Sequence, residues 1–340
     1  MNRIIVIGDI HGCYDELQEL IKKIGIKEED TIISLGDILD RGPKSLEVYD
    51  YLINRPNTIV LMGNHERKHL KGILSYAQEI VKVQFGSRYQ ELIAWIKDLE
   101  YYYTTPNEII VHAAFETDKK IEEQREDVLS GSTSGERYLE KKYEEGTYWQ
   151  EYYQGDKAII YGHHVVGEKP KYINNTIGID TGSCHGDYLT AIILPSREII
   201  QVKSRKDYWK EERIKWQLPV LESIDWMNMP IARIEQKLNK LAYIKDEQIQ
   251  IYLEQKANWI KELDELCEAI KKGIDEECES MLIEYGQKKF NLEASQKPYK
   301  VFLFKSRKND LKLDDIRSSL ETPFKRIELA GRLGIKVDVK

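Results

Sequence analysis

Residues 31–35, Thr-Ile-Ile-Ser-Leu, run directly into Gly36-Asp37-Ile38-Leu39-Asp40-Arg41-Gly42. A short apolar, β-branched run without polar alternation reads as a strand buried on both faces. Here it ends abruptly on a polar, metal-capable residue. The same pattern recurs along the chain. Residues 3–7 lead into Gly8-Asp9-Ile10-His11-Gly12, and residues 58–62 into Gly63-Asn64-His65-Glu66. Residues 108–112 end on His112, and residues 157–161 lead into Gly162-His163-His164. Amphipathic helices over 15–24 and 45–54 separate the first three strands. Further strands are expected at 178–180, 188–194 and 198–202. Alternating strands and helices followed by consecutive strands imply an α/β (α+β) fold, a mixed sheet sandwich flanked by helices. Ligands in such folds bind beyond the carboxyl ends of the strands, where these polar residues fall.

A turn-forming Asp or Asn at one strand end is ordinary. Histidine at three strand ends is not something turn chemistry demands. Two divalent cations ~3.5–4 Å apart can clamp a phosphoryl group and activate water, and like-charged cations need an anionic bridge. Asp37 is the best bridge. Asp9 and His11, two residues apart, reach one metal, and Asn64, His112 and His163 complete the other. Mixed oxygen and imidazole ligands suit Mn, Fe or Zn. His65 is a natural general acid, with Asp40 holding its imidazole. Arg41 offers a planar fork to phosphate oxygens, and Asn64 also borders that position. His164 adjoins His163, so only one of the pair is expected to bind. His69 reads as a surface helix residue. His185 reads as loop packing or an approach to the site, and Cys184 as a bystander.

The net charge of −7 argues against a broad nucleic-acid footprint, although a local basic groove is compatible with it. Cys13, Cys184, Cys267 and Cys278 form no CxxC pair, which excludes a zinc finger and suits reduced thiols in the cytoplasm. The opening MNRIIVIGD reads as a strand rather than a signal peptide, and no run approaches a membrane span of ~20 apolar residues. After about Ser204 the character changes. Residues 231–272 and 275–290 are helix-like, residues 299–304 read as an isolated strand, and 311–333 as one or two helices. The expected division is a catalytic domain at 1–204 and a mostly α-helical domain of unassigned role at 205–340. Its basic clusters, Lys305-Ser306-Arg307-Lys308 and Lys325-Arg326, read as solvated faces.

Taken together, GDIHG, GDILDRG, GNHE, the histidine after a strand and the later Gly-His resemble the PPP-type, calcineurin-like metallophosphoesterases. That group includes protein serine/threonine phosphatases, phage-type phosphatases, diadenosine tetraphosphatases and the phosphatase module of bacterial polynucleotide kinase-phosphatase. The resemblance covers roughly residues 1–203 and includes Gly178–Ser183 and Leu189-Thr190-Ala191 as a closing strand pair. It implies a metallophosphoesterase β-sandwich and two divalent ions, manganese foremost. It also implies metal binding by Asp9, His11, Asp37, Asn64, His112 and His163, phosphate contact by Arg41, and acid catalysis by His65 with Asp40. The stretch around Leu129–Glu136 and Tyr148-Trp149 looks most like the kinase-phosphatase module, but Thr147 stands where that module carries an arginine. The family usually carries a second phosphate-binding arginine between the two late histidines, and Arg125 and Arg137 are the arginines that lie there. No GxxxxGK[ST] loop is present, so no kinase half is implied.

The expected activity is hydrolysis of a phosphomonoester, on protein Ser/Thr or a small molecule, by metal-activated water. The alternatives are a nucleotide or RNA-end enzyme, such as a dinucleoside polyphosphate hydrolase or a 2′,3′-cyclic phosphodiesterase, and a regulatory binding protein on a phosphatase fold. Intact ligands and an intact His65 argue against the last.

Overall fold

The computed structural model describes residues 3–337. Among these, the strands are β1 (Ile4–Ile7), β2 (Thr31–Ser34), β3 (Thr58–Val60), β4 (Tyr102–Thr104), β5 (Glu108–Val111), β6 (Ala158–Tyr161), β7 (Lys171–Ile173), β8 (Thr176–Gly178), β9 (Tyr188–Leu194) and β10 (Glu198–Lys203). They form two five-stranded sheets, ordered β10-β9-β1-β2-β3 and β4-β5-β6-β8-β7. β1, β2 and β3 are parallel, as are β5, β6 and β8; the outer strands β9, β10, β4 and β7 pair antiparallel.

The period-2 geometry of strands explains the apolar runs. Val6, Ile33, Ile110, Ile160 and Ile177 from both sheets meet in one inner layer. Their neighbours Ile5, Ile7 and Ile32 pack with Leu17 and Leu20 of the helix Tyr14–Ile24 and Val48 of the helix Ser45–Asn54. On the other sheet, Ile109, Val111 and Ile159 pack with Leu129 and Trp149. Both faces of each central strand are therefore dry. A fully buried Ile contributes about 1.5–3 kcal/mol, so polar residues are confined to the strand ends.

The first compact unit spans Met1–Val220 and so continues beyond Ser204. The helix Tyr208–Lys215 is tied into it: Tyr208 donates its hydroxyl to Glu16 at 2.7 Å, and Tyr76 donates to the Arg213 carbonyl at 2.7 Å.

The second unit, Leu221–Lys340, is helical. Its longest element, Glu247–Ser295, is interrupted at Gly286, whose φ of 64° is left-handed. Leu263, Cys267, Ile270 and Ile274 recur at helical spacing and are fully buried, with Leu303 and Ile316 in the same core. Two expectations need correction here. The run 231–272 is broken between Leu241 and Glu247, where Asp246 caps the second helix by accepting from Ile249 N–H at 3.2 Å. The expected strand at 299–304 belongs to a helix, Lys300–Arg307. A short apolar run fits either state, and burial of Phe302, Leu303 and Ser306 on one helical face decides it. No helix among the described residues is long and apolar enough to cross a membrane.

Candidate metal centre

The parallel strands of both sheets point their carboxyl ends to one edge. Asp9, Asp37, Asn64, His112 and His163 follow β1, β2, β3, β5 and β6 there. Asp37 lies at the centre and is buried. Its carboxylate stands 3.5 Å from His112 Nε2, 3.6 Å from His11 Nε2 and 3.9 Å from His65 Nε2. It also accepts the His65 backbone N–H at 3.0 Å. Burial alone would raise its pKa, but the imidazoles of His112, His65 and His11 overcome that and hold it well below the usual carboxylate range.

The candidate histidine ligands are oriented from outside. His11 Nδ1 donates to the Leu39 carbonyl at 2.8 Å, and His112 Nδ1 donates to the Leu35 carbonyl at 3.0 Å. Each leaves its Nε2 lone pair facing Asp37. His163 is reversed: Nε2 is held by Glu136 at 2.9 Å, leaving Nδ1 facing Asn64 at 3.1 Å. Metal-binding histidines are held this way, with the second nitrogen fixing ring orientation. Burial lowers His112 to about 4, so it is a neutral ligand near pH 7.

The Asn64 amide offers a test of whether a cation fits. The atom placed as its oxygen faces only lone pairs, those of His112 Nε2 at 3.3 Å, His163 Nδ1 at 3.1 Å and the Asp37 carboxylate. Either the amide NH₂ turns inward to donate to them, or the oxygen stays inward and a cation satisfies the whole set. The carboxylates point the same way. Burial first, then the charges of Asp180 and Asp37, push Asp9 well above its ordinary value. A divalent cation supplies the counter-charge this buried cluster lacks. Potential metal-holding groups converge as His11, Asp37 and His65, and as Asp37, His112 and His163.

The backbone is bent to make this possible. Five of the nine non-glycine residues with positive φ among those described are His11, Asp37, Asp40, Arg41 and His163. Such conformations are costly and cluster at functional sites. Glycine is required where chains meet: a Cβ on Gly63 would collide with Asp37, and one on Gly162 with Asp9.

His65 and Asp40 form a relay. His65 Nδ1 bonds Asp40 at 2.6 Å, while its buried Nε2 has no partner. The other Asp40 oxygen accepts from His69 Nε2 at 3.1 Å, and His69 Nδ1 meets the Tyr89 hydroxyl at 2.9 Å. Gln78 also donates to Asp40. Burial would raise Asp40, but His69 and His65 hold it well below the usual range. His69 is therefore buried, not on the surface. Its position four residues after His65 on one helical face was the available cue. Arg41 faces His11 Nε2 at 3.2 Å and bonds the Cys184 thiol, so Cys184 is a neighbour of the site rather than a bystander. His185 and His164 are exposed. His164 bonds the outer carboxylate Glu136 at 3.0 Å. Arg125 is engaged with Asp127 at 3.0 Å and with the Tyr138 ring, and Arg137 is exposed.

Glu66 has no role in the expectations drawn from the motifs, yet it pins the Asp37 loop. Its carboxylate accepts the backbone N–H groups of Asp37 at 2.8 Å, Ile38 at 3.0 Å and Leu39 at 3.4 Å. Burial and the Asp37 charge push it up to about 8, against the pull of those bonds. Glu66→Ala leaves these buried donors unpaired, and each costs ~1–3 kcal/mol. The expected loss is about 3 kcal/mol or more in a urea titration; a loss below ~1 kcal/mol would show the loop to be held by other contacts.

The calcineurin-like phosphoesterase profile matches residues 2–220. The chain belongs to that family. Its relatives include the asymmetrical bis(5′-nucleosyl)-tetraphosphatase PrpE of Oceanobacillus iheyensis, 32% identical over 241 residues, which cover 62% of this chain and 96% of the relative. PrpE of Bacillus cereus (strain Q1) is 29% identical over 244 residues, 61% of this chain and 96% of the relative. A crystal structure described as a candidate diadenosine tetraphosphatase superposes with a TM-score of 0.50 at 23% identity, covering 60% of this chain and 94% of that one. The chain is thus a metal-dependent hydrolase of phosphoester bonds with the metallophosphoesterase fold.

Proposed function

We propose that this protein hydrolyses dinucleoside polyphosphates, using two divalent cations held by Asp9, His11, Asp37, Asn64, His112 and His163, with manganese preferred. The observation that carries the metal reading is the convergence of buried donor atoms on Asp37, with His11 and His65 on one side and His112 and His163 on the other. The substrate class rests on likeness to tetraphosphatases over 96% of their length. Four free, buried cysteines fit a reducing compartment such as the cytoplasm.

Bound cations of this kind withdraw charge from phosphate oxygens and make water acidic enough to attack. The protein's own groups do the rest. The Arg41 guanidinium, whose burial is offset by the carboxylates of Asp37 and Asp9, pairs with phosphate oxygens. Where the leaving oxygen is basic, His65 Nε2 supplies its proton, and Asp40 holds the imidazole in place. Glu136 steadies His163 from outside. A second reading, a phosphomonoesterase acting on protein Ser/Thr or an RNA end, is favoured by the His65–Asp40–His69 relay, since alkyl leaving oxygens need a proton most.

The test is a substrate panel with manganese: dinucleoside tetraphosphates, phosphopeptides, and RNA with 3′-phosphate or 2′,3′-cyclic ends. The tetraphosphates are expected to show the highest kcat/KM, and EDTA-stripped protein should lose roughly 10²-fold or more until metal is restored. Faster turnover of phosphopeptides or RNA ends would replace the nucleotide reading. Undiminished activity after metal removal would sink the metal reading.

A further inference from the structure

Beside the metal centre lies a cavity of about 270 Å³ whose near wall is Asn64. We propose that it receives the polyphosphate–nucleoside tail of the substrate, and that Arg67, Lys68 and Lys71 grip that tail. The inference rests on the nucleotide reading above.

Asn64, Arg67, Lys68 and Lys71 follow the spacing i, i+3, i+4, i+7, which places them on one stripe of the helix Asn64–Leu70 and its cap. At 1.5 Å per residue the stripe extends about 10 Å from the metal centre. It is long enough for several phosphates in a row. Its two lysines are not neutralised locally. Lys68 and Lys71 make no ion pair among the described residues, in a protein with a net charge of −7. Arg67 donates through Nη1 to Ser132 Oγ at 3.0 Å, and its buried Nε has no partner. The carboxylate on this side, Asp127, is already bound by Arg125 at 3.0 Å and Ser134 at 2.8 Å.

The opposite wall carries the hydroxyls of Ser132, Thr133 and Ser134, at the start of the ten-residue helix Thr133–Lys142. A helix start also favours anions through its free N–H groups. At the cavity's rim stands Ile73, 64% exposed, an apolar surface on which a nucleobase can rest. The lining thus changes from metal ligand to cations to an apolar edge, the order a nucleotide chain would require. It also supplies the second phosphate-binding cation that neither Arg125 nor Arg137 provides. Arg67 fills that place from the strand-end motif itself.

The test compares the wild type with Arg67→Gln and with the double variant K68Q/K71Q; Lys22→Gln, on the exposed side of the first helix, controls for general charge loss. The ratio of kcat/KM for a dinucleoside tetraphosphate to that for an aryl phosphate is expected to fall tenfold or more in both cavity variants. Most of the K68Q/K71Q change should lie in KM. Calorimetry with a methylene-bridged, non-hydrolysable tetraphosphate analogue should show at least tenfold weaker binding and a shallower salt dependence. If the wild type cleaves tetraphosphates but ratio and binding stay within twofold in the variants, the cavity assignment falls alone. If the wild type cleaves no dinucleoside polyphosphate, the nucleotide reading fails before any variant is made, and the cavity assignment falls with it.

Discussion

Asp37→Asn is expected to abolish turnover, by roughly 10³-fold or more, which corresponds to ~4 kcal/mol of barrier. The size follows from its position. The Asp37 carboxylate lies within 3.6 Å of the Nε2 atoms of His112 and His11, and it accepts the His65 backbone N–H. Asp37 is the one carboxylate shared by the two converging donor groups, His11–Asp37–His65 and Asp37–His112–His163. An amide here keeps the shape but removes the bridging charge, and its NH₂ points donors at lone pairs meant for a cation. Atomic spectroscopy after dialysis should find the variant short of metal, alongside the kinetic loss. Far-UV dichroism should be unchanged, because the packed strands β1, β2, β5 and β6 do not depend on this carboxylate. A variant that kept its metal and more than a tenth of its activity would move the bridging role elsewhere.

The sequence made the cage legible because burial is so uneven along these strands. β2 and β6 are packed on both faces, so their runs are continuously apolar and the first polar residue after each is conspicuous. The edge strands of the second sheet were not legible. β4 is only three residues long and half-exposed, and β7 is three residues with little burial, so neither leaves a periodic trace. Nor could sequence show the left-handed backbone at His11, Asp37 and His163, which depends on how the loops interlock. His69, Glu66 and Glu136 were missed for a related reason. Each acts through another side chain or through backbone N–H groups, and such partnerships arise only when distant segments meet. Arg67 and Lys68 sit within the GNHERKHL stretch, but their meaning depends on Ser132–Ser134 arriving opposite them. In the second unit the helical spacing of Leu263, Cys267, Ile270 and Ile274 could be read directly, whereas residues 299–304 fitted both periods.

His65→Asn separates proton donation from geometry. With an alkyl phosphomonoester the departing oxygen is strongly basic, and loss of the acid should cost ~10²–10⁴-fold in kcat. With a nitrophenyl ester or a phosphoanhydride the departing oxygen is weakly basic and leaves without a proton, so the cost should be within about tenfold. The prediction is therefore a steeper dependence of rate on leaving-group pKa in the variant than in the wild type. Asp40→Asn should move the slope the same way but less, because the imidazole remains while its buried anionic partner is lost. An equal loss across all leaving groups would mean that His65 matters for shape: its backbone N–H is bonded to Asp37 and its ring packs edge-on to His11 at 4.8 Å. The same measurement bears on the substrate. If dinucleoside tetraphosphates are the true substrates, the relay of His65, Asp40 and His69 is more than their leaving group needs. A His65→Asn enzyme should then keep most of its tetraphosphatase activity while losing any activity on phosphoserine peptides. If tetraphosphate cleavage fell as far as phosphopeptide cleavage, proton donation could not explain the loss.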